Sequence, residues 1–380
     1  MTRGSGAAEE RLTVLYVSAV ADRKGGAETV LEEMLGNPLV RPVLAVPGEG
    51  ELSVRARARG IAVHLFDLGA VGAVRRPARA IDLARASRDA LGLARRLAEI
   101  ARLSHAGVMH TNGLKVHVAG VLARQLHGVT VVTHMHDVAT TRGERLVWRG
   151  LAAGASHTIA ASPICYPGRP LSRVSVVMQG VDQRPGTTPR RLPARPVVGF
   201  VGRFHPFKGV HLLLDWFEAA ASEFPHLTLL LRGRADREGA EYWERQRARA
   251  AAMVAAGRCR IEDWSDADPF AGIDVLAAPS ATPEVGPRVI MEAMLRGIPA
   301  IGYPAGGALA MIPGPWCGAH AANAGEFAGA CRRLLRPGTY GAVSRAALDH
   351  ASANFGIDRF WHELHEVYRD QAASAVASAR

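Results

Sequence analysis

The sequence predicts an α/β protein of two domains, each built on a parallel sheet with helices packed around it. Three observations carry this. Short apolar runs, partly β-branched, alternate with longer stretches of helical period in both halves of the chain. Glycines stand at the turns where such runs pass into helices. Gln183 to Pro196 holds Pro185, Gly186, Pro189, Pro193 and Pro196 with few large apolar residues, the composition of a linker. A length of 380 residues suits two domains, and 48% hydrophobic content with 40 Gly and 22 Pro fits a globular chain. The expected boundaries are 1–183 for the first domain, 184–196 for the linker, 197–353 for the second domain and 354–380 for a terminal helix.

In the first half, Leu12 to Ser18 reads as a buried strand. It runs into Lys24-Gly25-Gly26-Ala27-Glu28, with a helix from Thr29 to Leu35. Strand, Gly-Gly turn and helix together let backbone amides approach an anion, although glycine pairs also serve plain tight turns. Neither a dinucleotide fingerprint nor a P-loop is present. Val43–Val46 and Ala62–Leu65 are further strands around a short helix, Leu52–Arg59. Ala78 to Leu103 is an arginine-rich helix with an apolar stripe at Leu93, Ala94, Leu97 and Ile100. Val108–Asn112 and Thr130–Thr133 are strands, with a helix from Leu114 to Leu126 between them. Ligands of open parallel sheets bind beyond the carboxyl ends of the strands, so His110, His136 and Asp137 become candidate site residues. His134-Met135-His136 is also a spacing seen in metal sites, but no third ligand is evident. Thr158–Ala161 and Val174–Met178 complete this half.

The second half opens with a strand, Val197–Val201, then Gly202-Arg203, a short loop, Lys208-Gly209, and a helix from Val210 to Ala220. Arg203 offers a planar fork for phosphate oxygens and Lys208 a mobile point charge. Leu227–Leu231 is a buried strand, and Glu238–Ala255 a polar helix leading to Glu262-Asp263-Trp264. Ile273–Ala278 is a strand that precedes Pro279-Ser280, and Glu284 follows on the strand-to-helix loop. Val289–Leu295 then forms a helix containing Glu292, closed by Gly297 and Pro299. Pro287 suits the first helical position, and the free N–H groups of that helix start favour phosphate. Were the stretch wholly helical, Glu284 and Glu292 would stand about 12 Å apart along it. Ala300–Tyr303 is a further strand, followed by Gly306-Gly307.

Pro279-Ser280, Glu284, Glu292-Ala293-Met294 and Gly297-Ile298-Pro299, with Gly202-Arg203 and Lys208-Gly209, resemble the retaining GT-B glycosyltransferases of family four (glycosyl transferases group 1). Gly25-Gly26-Ala27-Glu28 and His136-Asp137 are similar to that family's first-domain motifs. The resemblance implies the GT-B fold, two Rossmann-like domains with parallel sheets facing across a cleft, and a last helix crossing back to the first domain. It implies retaining transfer of a sugar from a nucleoside diphosphate sugar to a hydroxyl acceptor, in cell-envelope glycan or secondary-metabolite biosynthesis. The residues it marks as catalytic are His136, Arg203, Lys208 and Glu284. Those it marks for the donor are Gly25, Gly26, Arg203, Lys208, Glu284, Gly286, Arg288, Val289 and Glu292. His110, Asn112 and Asp137 fall on the acceptor side. No metal and no cofactor are implied. The chain departs from the family where Val285-Gly286-Pro287 replaces the usual Gly-aromatic-Gly, where Ala310 stands for a usual Glu, and where Gln179 stands for a usual Asn.

The formal net charge of +11 implies anionic partners. A second reading therefore puts the protein at an anionic membrane surface, acting on a lipid acceptor, with Ala78–Leu103 as the docking face. A non-catalytic sugar-nucleotide binder is a third. Nucleic acid is disfavoured, because no binding motif is present and the basic residues are dispersed. Cys165, Cys259, Cys317 and Cys331 lack metal or disulfide spacing, and no apolar run is long enough to span a bilayer. A cytoplasmic protein is expected, with peripheral contact to the inner face of the membrane under the second reading.

Overall fold

A computed structural model of the chain describes residues 11–22, 25–73, 80–166, 172–182, 190–264, 268–280 and 282–378. It divides into two compact units, Met1–Gly180 with Asp358–Arg380, and Val181–Ile357. Lys24 and the arginines at 75, 76 and 79 lie outside the described residues.

The first unit is a seven-stranded sheet in the order β3-β2-β1-β4-β5-β6-β7, every pair parallel. Its strands are β1 (Thr13–Ser18), β2 (Arg41–Val46), β3 (Ala62–Leu65), β4 (Val108–Asn112), β5 (Val131–Met135), β6 (His157–Ala160) and β7 (Val174–Val176). Leu15, Val17, Met109 and Val131 pack under helix Ala80–Leu103. Leu93, Ala94, Leu97 and Ile100 of that helix are fully or nearly fully buried. The apolar stripe therefore faces its own core, and the side left to solvent carries Arg88, Arg95, Arg96 and Arg102 with Leu91 and Leu103. That removes the stripe from any docking face.

The second unit is a six-stranded parallel sheet, β10-β9-β8-β11-β12-β13. The strands are β8 (Val197–Arg203), β9 (Thr228–Arg234), β10 (Cys259–Glu262), β11 (Val275–Ala278), β12 (Ala300–Gly302) and β13 (Gly318–His320). Val198, Phe200, Leu229, Leu231 and Val275 join Phe217 and Phe327 in its core. The end of the expected linker is not loose. Arg190 N–H donates to Ser344 Oγ at 2.8 Å and its guanidinium donates to the Ile273 carbonyl, binding it to this unit.

The terminal helix starts at Ile357 rather than Asn354, because Gly356 leaves the helical region (ψ 143°) and ends the preceding helix, Tyr340–Phe355. From Asp358 onward it belongs to the first unit. Trp361 Nε1 donates to the Glu33 carbonyl at 2.8 Å, and Tyr368 is fully buried. All four cysteines are free and buried. No helix among the described residues is long and apolar enough to cross a membrane.

Candidate active site

Both sheets change direction once. In the second unit, β8 and β11 are neighbours although two strands, β9 and β10, lie between them in sequence, so the chain leaves their carboxyl ends in diverging directions. Such a switch point opens a crevice above the strand ends. Arg203 ends β8, and the loop carrying Glu284 follows β11. Two loops far apart in sequence are thereby brought together. Lys208 Nζ donates to Glu284 Oε2 at 2.5 Å, across 76 positions of sequence. Gly209 makes this approach feasible. Its φ is +73°, and a Cβ there would stand 2.1 Å from the Pro279 carbonyl oxygen.

Lys208 and Glu284 are each about one-fifth exposed. Glu284 Oε2 is taken by Lys208, while Oε1 is buried and accepts no hydrogen bond among the described residues. A buried carboxylate oxygen without a donor is costly, and a ligand hydroxyl would satisfy it. Arg203 bonds Asp236 Oδ2 at 3.1 Å. The Gly239 N–H on Asp236 Oδ1, and then Arg203 itself, hold that carboxyl below its ordinary range. Phe207 lies under both cations, 5.3 Å from the Arg203 guanidinium carbon and 5.2 Å from Lys208 Nζ. Phe207 and Asp236 were not among the sequence candidates. Both carried a signal: an aromatic between two cations in one short loop, and an acid two residues past Arg234, which pairs in register with Arg203.

Glu292 lies in helix Arg288–Met294, where Arg288 Nη2 stands 3.5 Å from its Oε1. The expected first helical residue, Pro287, is instead the cap, and Ile290 N–H already donates to its carbonyl. Residues 283–287 are a non-helical loop, so the helical spacing of about 12 Å between the two glutamates does not apply. Gly286 sits in that loop and Val289 in the first turn. Gly307 N–H donates to the Glu284 carbonyl at 2.7 Å, and a Cβ on Gly307 would meet the Val285 carbonyl at 2.0 Å. The Gly306-Gly307 loop thus braces the Glu284 backbone. Arg232 is buried, held by Glu262 Oε2 at 2.5 Å and by the carbonyls of Pro269 and Ala271. Trp264 is half-buried.

In the first unit the switch point falls between β1 and β4. A cavity of about 160 Å³ lies there, and its lining includes Glu28, Asn112, His117, His136 and Asp137. Gly25 caps helix Gly26–Leu35, which starts three residues earlier than expected because Gly26 already adopts helical geometry. Asn112 Nδ2 donates to the Ala27 carbonyl at 3.3 Å and joins this turn to β4. His136 Nε2 is shielded and unpartnered, and burial pushes the imidazole down to about 4. It is a neutral hydrogen-bonding group at pH 7.

His110 requires a correction. It was expected on the acceptor side, but it is fully buried within β4, its Nδ1 bonded to Tyr368 Oη at 2.8 Å, and it is absent from the cavity lining. Its side chain alternates to the face covered by the C-terminal helix. His117, on helix Leu114–His127, lines the cavity in its place, fixed by Thr111 Oγ1 at 2.8 Å. The sequence signal for it was a histidine on the apolar face of that helix. Among the described residues, no group of three or more His, Cys, Asp or Glu is arranged to hold a metal ion.

Residues 195–337 match the family model described as Glycosyl transferases group 1. The match lies within the second unit and covers most of it. On that match the chain is a glycosyltransferase, and its overall architecture agrees. HepE of Anabaena, solved with UDP, is 22% identical with a TM-score of 0.75, over 94% of this chain and 100% of that one. A glycosyltransferase of Rickettsia africae is 18% identical with a TM-score of 0.74, over 95% and 98%. Sucrose-phosphate synthase of Thermosynechococcus elongatus is 18% identical with a TM-score of 0.72, over 96% and 100%. These likenesses are of fold: two Rossmann-like parallel-sheet units, the GT-B class. No curated protein matches this glycosyltransferase in sequence.

Proposed function

We propose that this glycosyltransferase moves a sugar, with retention of anomeric configuration, from a nucleoside diphosphate sugar to a hydroxyl acceptor. The observation that carries the reading is the Lys208–Glu284 pair with its open Oε1, at the switch point of the second unit. Arg203 and Lys208 take the diphosphate, and Glu284 Oε1 accepts a hydroxyl of the donor sugar. Glu292 accepts the ribose hydroxyls, with Arg288 holding its carboxylate in place. Gly25 and Gly26 form a helix start whose free N–H groups suit an anion.

The acceptor hydroxyl attacks C1 on the face from which the diphosphate leaves. The C1–O bond to the β-phosphate breaks, the new C1–O bond forms, and a β-phosphate oxygen takes the acceptor proton. No protein nucleophile and no metal are used, because the two cations neutralise the charge on the departing group. Neutral His136, with Asn112 and Asp137, orients the acceptor. HepE has been solved with UDP-glucose, and a lipopolysaccharide outer core galactosyltransferase, WaaB, shares the fold with a TM-score of 0.69. The first makes UDP-hexoses the first donors to try, and the second makes a cell-envelope glycan the first product class.

A thermal-shift panel of UDP-, GDP-, ADP- and dTDP-sugars tests the reading. Ligand at about a hundred times its Kd stabilises by about 2.7 kcal/mol, a readily measured rise in melting temperature. The Glu284→Gln variant should lose the sugar-dependent part of that rise and keep the part given by the nucleotide diphosphate alone. No stabilisation by any of the four classes would sink the proposal.

Phe207→Ala should raise the donor KM several-fold with little change in melting temperature. Each cation–π contact is worth about 0.5–1 kcal/mol, and both cations lose theirs together. Asp236→Asn should act in the same direction through Arg203. Their ion pair is exposed and contributes little to stability, so steady-state kinetics is the measurement that reads it.

A further inference from the structure

The first unit holds another cavity, at the end of its sheet away from His136 and Asp137. Its volume is about 610 Å³, within the range of small-molecule sites. Thr130, Ser156 and Arg173 line it and stand immediately before β5, β6 and β7, so it lies at the amino ends of these strands. Arg124 lines it as well, and one backbone turn holds both guanidinium groups. Arg124 Nη1 donates to the Gly154 carbonyl at 3.2 Å and its Nε to Ser156 Oγ at 3.0 Å. Arg173 Nη1 donates to the carbonyls of Ala153 and Ala155 at 3.3 and 3.2 Å. Among the described residues neither arginine makes an ion pair, and Nη2 of both, with Nε of Arg173, has no hydrogen-bond partner.

No carboxylate stands in the wall. Two anchored cations with spare N–H groups therefore set up an attractive field for an anion. A guanidinium fork suits phosphate, whose oxygens accept paired N–H bonds. His157 is half-buried in the same wall, its Nε2 bonded to Ser175 Oγ at 2.9 Å. Burial pushes its imidazole down, Asp370 opposes that shift and Arg173 adds to it. The field of Asp370 thus reaches the wall, but the residue is exposed and outside the lining, where solvent screens it. The volume exceeds what one phosphate group fills, and the hydroxyls of Thr130 and Ser172 in the wall suit a hydroxyl-bearing skeleton. We propose that this cavity binds a small hydroxyl-bearing phosphomonoester, with Arg124 and Arg173 at the phosphate oxygens. β5 begins beside it and ends next to His136, so about 17 Å of strand separates it from the cavity at the carboxyl ends. The inference does not depend on the proposed reaction.

Titration calorimetry of the full chain with glycerol phosphate tests it. Saturable binding is expected, weakened about tenfold or more by R173Q, since a hydrogen bond to a charged group is lost. S172E places a carboxylate at the exposed rim and should weaken binding too, at an unchanged melting temperature, even if R173Q loosens the turn. K208A removes a cation from the second unit and should bind as the wild type does. Sedimentation with phosphatidylcholine vesicles carrying phosphatidic acid separates the sources of the ester. Vesicle binding that R173Q weakens, without binding of glycerol phosphate, would assign the cavity to a lipid headgroup. Failure of the wild-type chain to bind either probe would overturn the inference. Wild-type affinity in both R173Q and S172E would do the same, as would a loss confined to K208A, which would place the phosphate at the second-unit cations. Whether sugar nucleotides stabilise the chain has no bearing on these outcomes.

Discussion

Replacing Lys208 by alanine is expected to lower turnover by about 10²–10³-fold, equivalent to about 3–4 kcal/mol of barrier, in a chain that stays folded. The ammonium is one of two cations placed to meet the departing diphosphate, and it also holds the Glu284 carboxylate at 2.5 Å. The substitution therefore has two consequences. The leaving group loses a charge partner, and Glu284 is freed from the orientation in which Oε1 is presented. Glu284→Ala should be comparably damaging, and the double variant little worse than either single one, since the two act as a unit. The pair is only partly buried, and neither side chain belongs to the core of the second unit. Circular dichroism and thermal melting should accordingly remain near wild type. Wild-type turnover in both single variants would remove the assignment of this site.

The first unit is expected to lose stability on mild acidification. Four imidazoles, His110, His117, His134 and His136, are clustered there. The ring centroids of His134 and His136 stand 4.0 Å apart, and those of His110 and His134 5.2 Å apart. Burial holds all four below the usual histidine range, His136 at about 4 and His117 at about 3, with the charge of His136 adding to the shift of the other three. In the unfolded chain each titrates near its ordinary value of about 6.5. Below that pH the unfolded state binds more protons than the folded one, so stability falls as pH falls. The loss begins near pH 6.5 and grows until the folded values near 4 and 3 are reached. At about 1.4 kcal/mol per pKa unit, His136 alone accounts for about 3 kcal/mol. Because the rings repel one another once charged, the four contributions do not simply add.

Thermal melts at a series of pH values check this. His134→Phe should flatten the dependence, because both ring nitrogens of His134 are buried without a partner and phenylalanine fills similar space. A melting temperature constant between about pH 7 and pH 5 would contradict the argument.

Several features of both units were legible from composition and period. Parallel strands read as short apolar runs because both faces of each sheet are covered, and most of them lie where those runs predict them. β13 and the helices Arg142–Gly154, Ala324–Leu334 and Tyr340–Phe355 were not anticipated. β13 is three residues long, too short to carry a period, and the helices mix small and polar residues with few large apolar ones. In the candidate site, residue types and strand-end positions were readable, but partners were not. Lys208 and Glu284 could be named separately, yet nothing in sequence says that the ammonium touches the carboxylate, or that Phe207 lies under both cations. His110 was misplaced for a related reason. A strand's carboxyl end was assumed to present every residue near it, whereas His110 stands two residues short of the end of β4, on the same face as Asn112 but covered by Tyr368, and only Asn112 reaches the mouth.

The sequence by itself determined the alternation of strands and helices and the chemical types standing at the strand ends, because these follow from local period and turn chemistry. Tertiary structure decided which ends meet. Strand order is set by how apolar faces pack between distant segments, and the neighbouring of β8 with β11 and of β1 with β4 creates the two crevices. It also decided that His110, His117 and His134 are buried and that the half-buried His136 lies against His134. Those are consequences of which face each element buries, and that choice is made only when the elements come together.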